Sequence, residues 1–288
     1  MSQERKRAAV AAALADIEPS SSPIRQVPAD PHSQAAFFDI DETLVRGASF
    51  YQVVRELYRH GFFGISDMFF AARKAAFYMV AGERPEHINQ IVERALSRLE
   101  GHSLAEMLTI GRDVSNMLVD HRIFPGTKQI LDRHLEYGHQ VWLVSATPIQ
   151  IAQVLAERLG ATGAIATRVA LVDGRFEPRL VGGIVHGQGK ADAVRELAER
   201  EGIDLAESWA YSDSISDQPL LEMVGNPHVI NPDVRLRLLS ISKGWPVHDF
   251  RRLRRRSLRQ NAHLSAEIAG YVWVVTRMLR YLRRRLWR

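Results

Sequence analysis

"AAFFDIDETL", Ala35 to Leu44, decides how this chain is read. Four small or apolar residues lead into Asp39, then Ile40, then Asp41, with Glu42 and Thr43 directly behind. A segment apolar enough to be buried therefore ends in carboxylates. Charge in an apolar setting is costly unless a metal, a proton or a cationic partner compensates it. The plain alternative is a strand that leaves the core for an acidic, solvated loop. The rest of the chain decides between the two.

Further short apolar runs have strand character: "QVWLV" (140–144), "GAIA" (163–166), "SWAY" (208–211) and "HVI" (228–230). Helical patterns lie between several of them, at Ile149 to Leu159 and Ala191 to Arg200. Short apolar strands alternating with helices predict an α/β fold, a Rossmann-like doubly wound parallel sheet covered on both faces. "LVDGRF" (171–176) places Asp-Gly between apolar flanks and reads as a hairpin. Residues 50–120 break the alternation with helical spacing throughout, which predicts an inserted helical cap forming a lid over the end of the first strand. Core segments 35–49 and 121–250 flank it, and a Pro- and Ser-rich stretch makes 1–34 a mobile lead-in.

Composition bounds the chemistry. The 288 residues, 46% hydrophobic, suit one large domain or one domain with an insertion. There is no cysteine, so disulfides and thiolate catalysis are excluded. No apolar run reaches the roughly 20 residues of a membrane-spanning helix. Arg5, Lys6 and Arg7 before "AAVAAALA" faintly imitate an export signal, but the run is mostly alanine and soon meets Asp16 and Glu18. The expectation is a cytoplasmic protein. The net charge of +5 hides an asymmetry: residues 1–250 carry 26 basic and 32 acidic side chains, whereas Arg251 to Arg288 hold twelve arginines and one acid, Glu267. A high pI made by one tail does not mark the whole protein as a nucleic-acid binder.

In an open parallel sheet, ligands bind beyond the carboxyl ends of the strands. Asp39 and Asp41 lie there, two apart, so that in extended geometry they share a side. Ser145 and Thr147 follow the second strand, and Asp213, Ser214 and Asp217 follow "SWAY". Lys190 opens a helix after a glycine-rich stretch, within reach of the acids. Carboxylates suit a hard divalent cation, and a lysine with a hydroxyl suits anionic oxygens. Singly, each residue has a bland reading: Ser145 a helix cap, Lys190 a solvated helix residue, Asp217 a helix N-terminal acid. As an ordered set they describe a metal-and-phosphate site.

Asp-x-Asp-x-Thr after an apolar strand, then "VSATP", a lone lysine and "SDSISD", resembles the haloacid dehalogenase superfamily of phosphohydrolases over about residues 35–235. The helical cap between the first two motifs is similar to that of its phosphoserine-phosphatase-like subgroup. The resemblance implies a Mg²⁺-dependent phosphatase in which Asp39 is the nucleophile and forms an aspartyl-phosphate. Asp41 would be the general acid–base, a role that separates phosphatases and phosphomutases from the dehalogenases and ATPases of the superfamily. It also implies that Asp39, Asp213 and the backbone carbonyl of Asp41 hold the cation. Ser145 and Lys190 would bind the phosphoryl group, Thr43 would brace the nucleophile's loop, and Asp217 would orient Lys190 or a metal-bound water. Glu42 is read as facing the loop. Phosphoserine phosphatases carry a glutamate soon after the first motif that recognises the amino-acid part of the substrate. The matching stretch "VRGASF" offers Arg46 and Ala48 and no acid. The expected substrate is a small phosphorylated metabolite. The rival readings are a membrane-surface phosphatase acting on phosphorylated lipid headgroups and a non-catalytic binding protein on the same fold.

The membrane reading rests on the tail. Ile268, Val272, Val275, Leu279, Leu282 and Leu286 recur at alternating spacings of four and three, a single stripe at helical periodicity. Arg277, Arg280, Arg284 and Arg288 gather opposite, and Trp273, Tyr281 and Trp287 suit an interface. The pattern predicts a basic amphipathic helix on anionic membrane, peripheral to its inner face. Helix pairing, packing on the core and nucleic-acid phosphates are the other occupants that the stripe and its charge allow.

Overall fold

The computed structural model describes residues 33–47, 49–62, 64 and 85–251. The lead-in up to residue 32, the middle of the 50–120 block and the tail beyond 251 lie outside the described residues. The sheet and the candidate site belong to the unit Ser22–His248. No helix among the described residues is long and apolar enough to cross a membrane.

The sheet has seven strands. β1 (Ala35–Asp39) lies inside it, with β2 (Gln140–Pro148), β3 (Gly163–Val172) and β4 (Arg175–Val181) on one side. β5 (Trp209–Ser212), β6 (Asn226–Ile230) and β7 (Val247–His248) lie on the other. Neighbours run parallel except β3 and β4. The chain fills one side of β1 before crossing to β5, and this reversal opens a crevice at the carboxyl end of β1. All five residues of β1 are buried, as a central parallel strand demands. Phe37 joins Val144, Val194, Leu197 and Leu221 in one core cluster, while Phe38 stacks on Tyr211 at 4.4 Å.

Eight helices are described: α1 (Ser49–Arg59), α2 (Pro85–Leu99), α3 (Leu104–His121), α4 (Pro125–Glu136), α5 (Ile149–Leu159), α6 (Gln188–Glu201), α7 (Gln218–Met223) and α8 (Val234–Lys243). The described part of the 50–120 block is helical, as its spacing predicts. α5 fills its expected span and ends on Gly160 at φ 71°, a left-handed cap that glycine adopts without strain. The Asp-Gly pair makes the hairpin tip, with Asp173 at φ 49° and Gly174 at φ 74°. The sheet is thus mixed, and its short edge strand β7 carried no apolar signal in the sequence. The hairpin also has an unforeseen use. Gly101 N–H donates to Phe176 O and Leu104 N–H to Gly174 O, both at 2.9 Å. These bonds staple the turn between α2 and α3 to the hairpin.

Four histidines are packed into the α4 side of the sheet. His134 Nε2 meets the Tyr211 hydroxyl at 2.8 Å and its Nδ1 meets His139 Nδ1 at 2.9 Å. His228 stacks on Tyr211 and on His248. Burial, with His139, His228 and Arg133 adding in that order, pushes His134 down to about 3; burial and His248 bring His228 down to about 4. Unfolded histidine titrates near 6.5, so below that pH the unfolded chain binds protons that the folded one refuses, and stability falls as pH falls. From pH 6.5 to 5 each of the two should cost about 2 kcal/mol. Asp39, raised in the folded state (below), acts in the opposite direction over the same range. The histidine part is therefore read as a difference between variants. In thermal melts at pH 7 and 5, His134→Asn should lose much less stability relative to the parent at pH 5 than at pH 7.

Candidate active site

β1 delivers Asp39 to the crevice and stops. Leu44 and Val45 both donate to Ile40 O, at 3.0 and 2.8 Å, so the chain turns at once instead of staying extended. Asp41 therefore sits in this turn, half-buried, and the extended geometry expected for the pair ends at Asp39. Glu42 holds the turn open at φ 54°, a conformation costly for a residue with a side chain. Its carboxylate accepts from Gly47 N–H at 2.7 Å, which fits the loop-facing reading. Thr127 Oγ1 donates to Thr43 O at 2.8 Å, tying the turn to α4, while the hydroxyl of fully buried Thr43 has no partner among the described residues.

Lys190 reaches Asp39 from the first turn of α6. The glycines before it give room: a Cβ on Gly189 would stand 2.3 Å from Ile184 O. Lys190 Nζ donates to Asp39 Oδ1 and, at 2.7 Å, to Asp217 Oδ2. Ser212 Oγ adds a second donor to Asp217 Oδ2 at 2.7 Å. Lysine and both aspartates are nearly sealed from solvent, at 4, 7 and 1% exposure. Unpaired, such charges would not survive burial. Burial would lower the Lys190 ammonium, but Asp39 and Asp217 outweigh it and hold it above its ordinary range. Burial raises Asp39 to about 7, with Asp217 and Asp41 pushing the same way and Lys190 opposing them. One ammonium does not balance this many acids.

Ser145 sits at a register shift of β2, 2% exposed, and its Oγ accepts from Thr147 N–H at 3.1 Å. The hydroxyl proton stays available for donation to an anion. Asp213 follows β5 directly: with Phe38 paired to Tyr211, the register runs on to Ser212 level with Asp39 and leaves Asp213 one residue beyond. Its carbonyl accepts from Asp233 N–H at 2.8 Å. The structure thus brings Lys190, Asp39 and Asp217 into contact, with Asp41 near enough to act on Asp39. The Arg46 guanidinium lies over the Phe124 ring, 5.2 Å from the centroid.

Three supports escaped sequence reasoning. Ser212 anchors Asp217. Asp233 takes Ile215 N–H and Leu236 N–H on its two oxygens, at 2.9 and 2.8 Å, joining the loop after β5 to α8. Asn231, at φ 48°, donates to Glu42 O at 2.9 Å across 189 residues of sequence. Only "NPD" after an apolar strand hinted at it, through the tolerance of Asn for the left-handed region.

No group of three or more His, Cys, Asp or Glu among the described residues could hold a metal by itself. The donor set instead suits a cation that takes few protein oxygens and keeps several waters, as Mg²⁺ does. Asp39, Asp213 and the Asp41 carbonyl are the hard oxygens that this chain would offer such a cation. Asp217 Oδ1, buried and without a hydrogen-bond partner among the described residues, remains an acceptor for a water of that shell. The excess acid that lifts Asp39 is the charge a divalent cation would offset. The residues fit the group.

A family model of haloacid dehalogenase-like hydrolases matches residues 36–222. The chain is 43% identical over 228 residues to phosphoserine phosphatase SerB1 of Mycobacterium tuberculosis, covering 79% of this chain and 74% of that one. It is 32% identical over 218 residues to a probable phosphatase of the same organism, 76% of each chain. Among solved structures, a Bordetella pertussis protein of unknown function superposes with a TM-score of 0.67 at 29% identity, over 75% of this chain and 99% of that one.

Proposed function

Since this chain belongs to the haloacid dehalogenase-like hydrolases and is a phosphatase among them, we propose that it hydrolyses a small phosphomonoester through a phosphate ester of Asp39. The observation that carries this reading is Lys190 bridging Asp39 and Asp217 in a buried site at the carboxyl end of β1. Asp39, oriented by Lys190, attacks phosphorus, and the bond from phosphorus to the leaving oxygen breaks. Asp41 gives that oxygen its proton. The resulting Asp41 carboxylate then takes a proton from water as the water attacks phosphorus, which releases phosphate and restores Asp39. Ser145 and Lys190 donate to the phosphoryl oxygens where charge builds, and Thr43 lends its hydroxyl and its braced turn to the same group. Asp217 keeps Lys190 charged and aimed. Asp39, Asp213 and the Asp41 carbonyl would hold Mg²⁺, which supplies charge neutralisation between nucleophile and phosphate.

Phosphoserine is the first substrate to test, because a relative carries that name. The absence of an acid in "VRGASF" speaks for a different non-phosphate part. A panel of amino-acid, sugar, nucleotide and lipid-derived phosphomonoesters with Mg²⁺ decides, and activity that survives full chelation would overturn the reading. Asp41→Asn should lower kcat at least about 10²-fold, the usual scale for losing a general acid–base. The loss should be smaller on aryl phosphates, whose leaving groups need little protonation. A second reading, lipid headgroup phosphates at a membrane surface, is favoured by the twelve arginines from 251 to 288.

A further inference from the structure

The outward face of α8 is apolar, and the phosphatase chemistry makes no use of it. Val234, Leu238 and Ile241 are 76, 65 and 71% exposed. At about 100° per residue they fall within about 60° of one another. Leu236 and Ser240, fully buried, mark the opposite face. The core therefore asks nothing of the outer row, and three aliphatic side chains there form a patch that water disfavours. Arg235 stands about 100° to one side of Val234 and Arg237 about 60° to the other. The helix "VRLRLLSISK" has no acidic residue. Its cap, Asp233, is already bonded to Ile215 and Leu236 N–H.

We propose that this face of α8 docks the enzyme on an anionic membrane surface. Val234, Leu238 and Ile241 enter the interface, and Arg235 and Arg237 lie at headgroup level. Charge selects this occupant. A second copy related by a twofold axis would set the arginines against their own counterparts, and a nucleic acid would meet aliphatic groups at the centre of the patch. A bilayer bearing acidic lipids matches both the apolar row and its basic flanks. The proposal stands on α8, needs no particular substrate, and shares only its partner with the membrane reading of residues 251–288.

The chain has no cysteine, so Leu238→Cys in the full chain gives a single site for a polarity-sensitive dye. Val172→Cys, 50% exposed on the hairpin at the far side of the sheet, is the control. With mixed phosphatidylserine–phosphatidylcholine vesicles the dye at 238 should shift to the blue, the dye at 172 should not, and pure phosphatidylcholine should move neither. Leu238→Ser with Ile241→Ser should lower partitioning into the mixed vesicles at least about tenfold and leave turnover of a soluble aryl phosphate unchanged. Sedimentation with vesicles but no blue shift at 238 would overturn docking through α8 and leave the tail reading standing. Failure to sediment at low salt would end both, and neither result touches the phosphatase reading. A blue shift without vesicles, together with a doubled mass in solution, would assign the face to a second copy instead.

Discussion

Asp39→Asn should reduce phosphatase turnover to background, a fall of at least about 10⁴-fold. The amide keeps the size and shape of the carboxyl but offers phosphorus no anionic oxygen, so the first displacement has no nucleophile. It also removes one of the two partners of Lys190. The ammonium remains on Asp217, itself held by Ser212 at 2.7 Å, so the fold keeps its buried ion pair. The variant should therefore melt close to the parent while losing its chemistry. Incubation with substrate followed by acid quench separates the roles further: the parent should yield a protein-bound phosphate labile to hydroxylamine, and Asp39→Asn none. A variant that turns over at the parent's rate would remove the ester of Asp39 from the mechanism.

Much of this site was legible because its chemistry is written locally. The apolar lead into Asp39 marks a buried strand, and the glycines before Lys190 mark a tight entry into α6. The loop "SDSISD" carries both Asp213 and Asp217. Spacing along each segment was enough to propose that they meet, and Lys190 does join segments 151 residues apart. The supports were not legible, since Asn231, Ser212 and Asp233 act through hydrogen bonds to distant or backbone groups, which leave no periodic trace. β7 escaped because two residues on a sheet edge bury too little apolar surface to leave a pattern.

Lys190→Met should lower kcat/KM by at least about 10³-fold, the scale of losing a charge aimed at the developing phosphoryl charge. Methionine keeps most of the volume, so the variant isolates the ammonium. Its removal leaves Asp39 and Asp217 facing each other in a site nearly closed to water, and one of them has to take up a proton. Asp39, already raised to about 7 by burial and its acidic neighbours, is the group that takes it. Without Lys190 its folded pKa rises further, while the unfolded value stays near 3.8. A raised folded pKa means that the folded state binds a proton the unfolded state does not, so stability returns as pH falls below that value. The variant should therefore melt well below the parent at pH 8 and approach it by pH 5.5. Activity should not return with stability, because the proton that relieves the repulsion also blocks the nucleophile. Melting temperature and kcat/KM measured at both pH values test this divergence. If activity recovers in step with stability at pH 5.5, Lys190 only holds the site together and has no part in the transition state.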